Sequence, residues 1–282
     1  MLGAVGEGLF ELGLDEGHDG PLRRGYGGDA ANVCVMAARA GLGARLCGRV
    51  GADALGRALL EFWRSEGVDV RHVVVDQAAP TGIYVNARTN SGAHRFDYHR
   101  RGSAGSRLER EDLTDAFLDG LDVLHASGIS LAVAEAATTE AMERARAAGI
   151  RVSFAVNHRP ALGGDPAAVL VAARAADIVF VSTEDLELLG VDVALPVEEL
   201  VVTAGPEGAT VVYSGREVAV AAPAVDVVDA AGAGDALAGA YLAGRLGGLD
   251  PAAALQRGVA AAALSCRSFG CALSYPSAEE LT

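Results

Sequence analysis

Residues 225–246, VDVVDAAGAGDALAGAYLAGRL, concentrate the residue types from which an anion site is built. An apolar, strand-like run leads into Gly232-Ala233-Gly234-Asp235, and an alanine-rich helix is expected to follow. Glycines let the backbone turn sharply. The N–H groups of a first helical turn have no intrahelical acceptor, and the helix dipole reinforces them, so such a start can hold a phosphate or the charge of a transition state. Asp235 at this place has two readings. It caps the helix, a common use of aspartate, or it is a base that takes the proton of an attacking hydroxyl. A dinucleotide turn of the G-x-G-x-x-G kind, and with it a nicotinamide-dependent oxidoreductase, ranks last. Position 237 is Leu, the stretch lies late in the chain, and no early βαβ unit carries the glycines.

The second chemical resource is arginine. The 282 residues contain no lysine, so all 23 basic residues are Arg. That excludes a Schiff-base aldolase, a pyridoxal-phosphate anchor, a Walker-A lysine and the strand lysine of protein kinases. Any phosphate must meet backbone amides and guanidinium groups. A formal charge of −14 and an aromatic content of only 5% argue against a nucleic-acid partner. Cys34, Cys47, Cys266 and Cys271 lack C-x-x-C spacing and sit among apolar residues, as buried thiols of a reducing compartment would. Residues 1–17 are acidic and broken by charges, so neither a secretory signal nor a membrane span is expected there, and a cytoplasmic location is.

These groups need a scaffold. The apolar runs 121–127, 150–156, 176–182 and 199–205 read as buried strands, and the Ala/Leu/Glu/Arg-rich stretches around 131–148, 165–175 and 184–189 as helices. Such alternation predicts a parallel sheet covered on both faces. Between Arg71 and Arg101 the texture changes: HVVVDQ, TGIYVNART and AHRFDYH alternate polar and apolar residues around turn signals such as TNSGA (89–93). This predicts an antiparallel β insertion, joined by a strand near LFELGL (9–14), that forms a small lid. Its exposed strand edges suggest a homodimer through the lid.

The chain resembles the ribokinase-like (PfkB-type) sugar kinases. Their D-T-x-G-A-G-D-x-F signature stands here as Asp229-Ala-Ala-Gly-Ala-Gly-Asp235-Ala-Leu237. Their earlier signatures stand as Gly27-Gly28…Asn32 and Gly48-Arg-Val-Gly51-Ala-Asp53-Ala-Leu-Gly56, and GVDV at 67–70 extends the likeness. The resemblance implies an α/β, ribokinase-like fold: one kinase domain over 1–282, with a central, mostly parallel sheet, helices on both faces and a small β-sheet lid. The lid strands would come from about 8–14 and 72–100. It implies ATP as phosphoryl donor, Asp235 as base and the amides of Gly232, Ala233, Gly234 and Asp235 as the anion hole. Ser182, Thr203, Gly205 and Gly208 would lie on the nucleotide side. Asp185, where the family often has the acid of N-x-x-E, would serve magnesium, and its other reading is a first-turn acid of the helix 184–189. Ala230 replaces the family's Thr in a loop that shapes a monovalent-cation site in many relatives, which leaves potassium activation open.

Within that family the resemblance is to the 2-keto-3-deoxygluconate kinases. TGIYVNAR (81–88), RFDYHRRGSAGSRL (95–108) and SFAVNHRP (153–160) look like their substrate segments. That implies Tyr84, Tyr98, Arg100, Asn157 and Arg159 around the sugar, with Gly28 and Asn32 near its hydroxyls. A sugar acid suits arginine, whose planar fork holds a carboxylate through two hydrogen bonds. The plainer readings are a solvated lid charge for Arg100, a surface loop residue for Arg159 and a helix start for Gly28 and Asn32. His99 and His158 are assigned no catalysis. A kinase for fructose or ribose, or a weakly catalytic sugar-binding relative, would share the scaffold without needing Arg159.

Overall fold

The computed structural model describes residues 1–15, 22–88, 94–191 and 195–281. At its centre, β1 (Leu2–Val5) and β8 (Val123–Ser127) are buried along their whole length. That explains why β8 reads as a largely apolar run rather than an alternation. They belong to a nine-stranded sheet with β4 (Ala44–Gly51), β5 (Val68–Asp76), β9 (Arg151–Ala155), β10 (Ile178–Ser182), β11 (Glu199–Thr203), β12 (Ala209–Tyr213) and β13 (Arg216–Val220). The order is β13-β12-β11-β10-β9-β8-β1-β4-β5. Only β11–β12 and β12–β13 pair antiparallel. The strands expected at 121–127, 150–156, 176–182 and 199–205 are β8 to β11. β1 lies between β4 and β8, so the chain leaves it in opposite directions and a crevice opens beyond the strand ends, the usual ligand site of such sheets.

Helices cover both faces. α1 (Asp29–Arg39), α2 (Ala54–Ser65), α8 (Ala233–Leu246) and α9 (Pro251–Ser265) share one buried apolar cluster. α3 (Asp115–Leu118), α4 (Gly128–Val133), α5 (Glu135–Ala147), α6 (Pro166–Ala175) and α7 (Thr183–Leu189) pack into the other. The small residues have a packing use. A Cβ on Gly239 would fall 2.7 Å from the Cβ of Met36, so α8 lies directly on α1.

A second sheet, ordered β3-β2-β6-β7, stands over the crevice. It comprises β2 (Leu9–Asp15), β3 (Arg23–Gly27), β6 (Ile83–Arg88) and β7 (His94–His99). The lid departs from the sequence reading in three ways. β2 and β6 pair parallel, which makes the sheet mixed rather than antiparallel. β3 was not foreseen as a lid strand. Residues 72–76 belong to β5, which runs parallel to β4 at the edge of the large sheet. An edge strand covered on one face alternates just as a lid strand does, so pattern alone could not separate the two. The expected TNSGA turn lies outside the described residues.

Two further corrections concern the main body. The helix expected around 131–148 is two helices, α4 and α5, broken at Ala134. Residues 225–231, expected to be strand-like as they approach the GAGD turn, form no strand. The early signature is structural at Asp53. That carboxylate caps α2 at the Gly56 N–H (2.8 Å) and accepts from the N–H and hydroxyl of Thr81 (both 2.8 Å), pinning the chain where it enters the lid.

Candidate active site

Asp235 is the third residue of α8 and does not cap it. The cap is Gly232, in a left-handed conformation (φ 78°) with no side chain to bond the first turn, and the Tyr275 hydroxyl donates to its carbonyl at 2.9 Å. The capping reading of Asp235 therefore fails. Its carboxyl group lines a cleft of about 410 Å³ between the strand ends and the lid. Asn32, buried on α1, donates to it at 2.9 Å, and Asn157 lines the same cleft close enough to favour its ionised form. Burial, and next the carboxylate of Asp29, push Asp235 up to about 7, against the lowering pull of Asn32, Arg159 and Asn157. A base poised there ionises near neutral pH.

Each partner is placed by the crevice. α1 starts against the end of β1, where Gly28 has φ 103° and a Cβ would meet the Glu7 carbonyl at 2.3 Å. Only glycine fits that start. Asn32 is at once a helix-start residue, its N–H bonding the Gly28 carbonyl at 2.8 Å, and a ligand of Asp235. Asn157 follows β9 with a left-handed φ of 34°, which is uncommon outside glycine and directs its side chain toward α8. Arg159, half exposed, lines the same cleft with Nη1 3.7 Å from Asp185 Oδ1.

The lid supplies an aromatic wall. Tyr84 is buried and Tyr98 half exposed, with their rings 5.7 Å apart and nearly parallel, and Phe96 beside them. Arg100 lies 5.4 Å from the Tyr98 ring. It is not the solvated charge of the plainer reading, for it is 8% exposed and ion-paired with Glu7, which is 2% exposed. Burial pushes Glu7 up to about 7, and Arg100 opposes that shift.

Four residues that hold the site escaped the sequence reading: Glu7, Glu11, Asp29 and Asn86. Asn86 bridges the lid to the GAGD turn, donating to Glu11 Oε1 at 2.9 Å and to Asp229 Oδ2 at 3.0 Å. Asp229 also accepts from the N–H of Ala231 (2.9 Å) and of Gly270 (3.1 Å), which fixes the turn ahead of α8. A signal for Asn86 was present. It stands two residues after Tyr84 in a strand, hence on the same inward face. Glu7 and Asp29 carry no comparable mark, being single acids at the ends of an apolar run and a glycine pair.

Residues 13–278 match the model of the pfkB family carbohydrate kinases. The chain belongs to that family. It is 39% identical to the 2-dehydro-3-deoxygluconokinase of Thermoproteus tenax, with 93% of this chain and 86% of the relative covered. It is 36% identical to Fructokinase-1 of Oryza sativa subsp. japonica over 77% of this chain and 72% of the relative. The crystal structure of a fructokinase with bound ATP from Xylella fastidiosa covers 99% of this chain and 96% of that one, with a TM-score of 0.88 at 26% identity. The fold is therefore the ribokinase-like one, and the chain is a carbohydrate kinase. No helix among the described residues is long and apolar enough to cross a membrane.

In this kinase the remaining predicted residues fall into two groups. Thr203 ends β11, and Gly205 (φ 55°) and Gly208 (φ 106°) make the turn to β12, with Ala204 N–H bonding the Gly208 carbonyl at 2.9 Å. A Cβ on Gly208 would lie 2.1 Å from the Val220 carbonyl, so this turn presses on the segment leading to the GAGD loop. Beside that segment is a second cleft of about 450 Å³, walled by residues 223–226, by Ala260, Ala263 and Leu264 of α9, and by Arg267 just past its end. The α9 wall was missed, although its small and apolar residues recur at helical spacing. Ser182 and Asp185 form a capping box. Asp185 N–H donates to Ser182 Oγ (2.9 Å), Ser182 Oγ to Asp185 Oδ2 (2.8 Å) and His158 N–H to Asp185 Oδ1 (2.9 Å). The carboxylate expected to serve a metal is engaged in structure, and the first-turn reading is the one the geometry favours.

Proposed function

We propose that this kinase transfers the γ-phosphoryl group of ATP to the 6-hydroxyl of 2-keto-3-deoxygluconate, with Asp235 as base. The observation that carries the reading is the start of α8. A 14-residue helix brings its first-turn amides and one carboxylate of raised proton affinity to the same cleft. As the sugar oxygen attacks phosphorus, its proton passes to Asp235. The new O–P bond forms and the bond from phosphorus to the ADP oxygen breaks, while the N–H groups of Gly234 and Asp235 face the charge on the transferred group. Ala233 contributes less, because its N–H already donates to the Ala230 carbonyl at 3.2 Å. Gly234 is exposed, with nothing within 4 Å of where a Cβ would stand, so the space over the helix start is open to a phosphate.

The nucleotide base fits the second cleft, whose mostly apolar walls adjoin the chain that runs into the turn, and Gly208 packs against residues 220–222 just ahead of that wall. Among the described residues no group of three or more His, Cys, Asp or Glu side chains could hold a metal, and Asp185 is engaged. Magnesium therefore fits as an ion carried on the ATP phosphates, where it would offset their charge, rather than in a protein cage. Arg159 suits the sugar carboxylate, Asn32 and Gly28 its hydroxyls, and Tyr84 and Tyr98 its carbon skeleton. A homodimer across the lid suits its open edges, β3 and β7. Light scattering that finds a monomer at working concentration counts against it.

A second reading, a kinase for a neutral keto-sugar such as fructose, is favoured by the pairing of Arg100 with Glu7, which leaves less free positive charge for a sugar acid. A coupled ADP-release assay with magnesium and ATP separates the two. Turnover of 2-keto-3-deoxygluconate over fructose, ribose and gluconate, with its KM raised about 10- to 100-fold in Arg159→Ala, is expected for the loss of a guanidinium–carboxylate pair. Turnover of neutral sugars alone would discard the acid-sugar reading and keep the kinase.

A further inference from the structure

Glu7 and Arg100 form an unusual pair for a substrate cleft. Both line it, both are more than nine-tenths buried, and they meet in an ion pair. Beyond that contact, among the described residues neither carboxylate oxygen of Glu7 has a hydrogen-bond partner, nor do Nε and Nη2 of Arg100. Glu7 cannot retreat. A Cβ on Gly105 would fall 2.7 Å from its Cβ, and one on Gly28 would fall 2.3 Å from its carbonyl oxygen, so backbone closes on it from two sides. Asp29 lines the same cleft, also buried, with its Oδ2 unpartnered.

We infer that Glu7 is a positioning residue that fixes Arg100 over the cleft and tempers its charge, setting how strongly the site prefers an anionic sugar to a neutral one. A buried guanidinium without a counter-charge would bind any small anion that entered. Held by Glu7 it keeps its place, and a substrate carboxylate must compete for it. The acid that lowers anion affinity is the one that aims the cation. The inference rests on the reading of this cleft as the sugar site, but not on which sugar is phosphorylated.

The test is binding rather than turnover. Calorimetry on the full chain would compare D-gluconate, an anionic six-carbon probe, with fructose in the wild type, Glu7→Gln, Arg100→Met and the double variant. Glu7→Gln keeps the shape and removes the charge. It is expected to bind gluconate about tenfold more tightly while fructose changes less than about twofold, with the gain absent in the double variant. A merely structural role would weaken both ligands together, and that result overturns the proposal. So does unchanged gluconate affinity, or a gain that survives loss of Arg100. If Glu7→Gln does not fold, Glu7→Asp, which withdraws the carboxylate while keeping its charge, is read by the same gluconate-to-fructose ratio with a smaller gain expected. Failure of the acid-sugar reading would show separately, as wild-type turnover of neutral sugars alone in the coupled assay.

Discussion

The starts of α7 and α8 put the same residue at the same place and use it differently. Asp185 and Asp235 are each the third residue of their helix. Ser182 caps α7, and its hydroxyl and N–H draw Asp185 back into a closed box. Gly232 caps α8 and offers no side chain. With nothing to fold back onto, Asp235 turns outward to Asn32 and into the cleft that Asn157 also lines. The residue that decides between structure and chemistry is therefore the cap, three positions earlier. It also governs the amides: a serine cap satisfies first-turn N–H groups that a glycine cap leaves for a ligand.

The largest effect expected from this contrast is on Asp235→Asn. It keeps the shape and the Asn32 contact but cannot accept a proton, so kcat in the coupled assay should fall by about 10²- to 10⁴-fold. Asp185→Asn in the same assay should stay within a few-fold of wild type. Equal losses in the two variants would break the comparison.

The pH dependence sharpens it. In the proposed reaction Asp235 must be ionised to act, and burial with the Asp29 charge holds it up to about 7. Log kcat/KM should rise with pH with a slope near one below about 7 and level off above. Glu7 is raised to the same region, so the profile should be repeated in Glu7→Gln; loss of the inflection there would assign it to Glu7 instead. Stability carries the opposite sign. The folded state binds the Asp235 proton more tightly than the unfolded chain, whose carboxyl has the ordinary 3.8. The associated stabilisation is full below about 3.8 and lost as pH rises through about 7. Asp235→Asn should therefore be stabilised relative to wild type at pH 8 more than at pH 4, by roughly 2–5 °C in Tm.

How much of this was legible depends on whether function and fold asked for the same residue. The buried strands were readable because burial on both faces writes largely apolar runs, and the GAGD turn because its glycines and acid stand as the family signature has them. β5 was misplaced since an exposed edge writes the alternation of a lid. Asn32, Asn157 and Arg159 were found through motif resemblance, and the cleft brings them together with Asp235. Glu7, Asp29 and Glu11 were not legible. Each acts through a partner distant in sequence, Arg100, Asp235 and Asn86, and no local pattern records a pairing between residues 75 or more positions apart. Asp185 was readable both ways, and the His158 N–H contact that favours the structural reading joins residues 27 positions apart, which no local pattern records.

The smallest effect tests the cap itself. Ser182→Ala opens the α7 box, removing the hydroxyl that accepts the Asp185 N–H and leaving the Asp185 carboxylate its bond to His158 N–H. Loss of a serine cap costs about 0.5–2 kcal/mol, a fall in Tm of roughly 2–4 °C for each kcal/mol at this chain length. Activity should change little if the box serves structure alone. The reciprocal change, Gly232→Ser, should not give α8 a working cap. Its φ of 78° disfavours a side chain, and a Cβ would stand 2.7 Å from the Tyr275 hydroxyl. Loss of stability and activity together in Gly232→Ser, against loss of stability alone in Ser182→Ala, would place the difference between the two helix starts in their caps. Activity lost with stability in Ser182→Ala would instead return Asp185 to the chemistry.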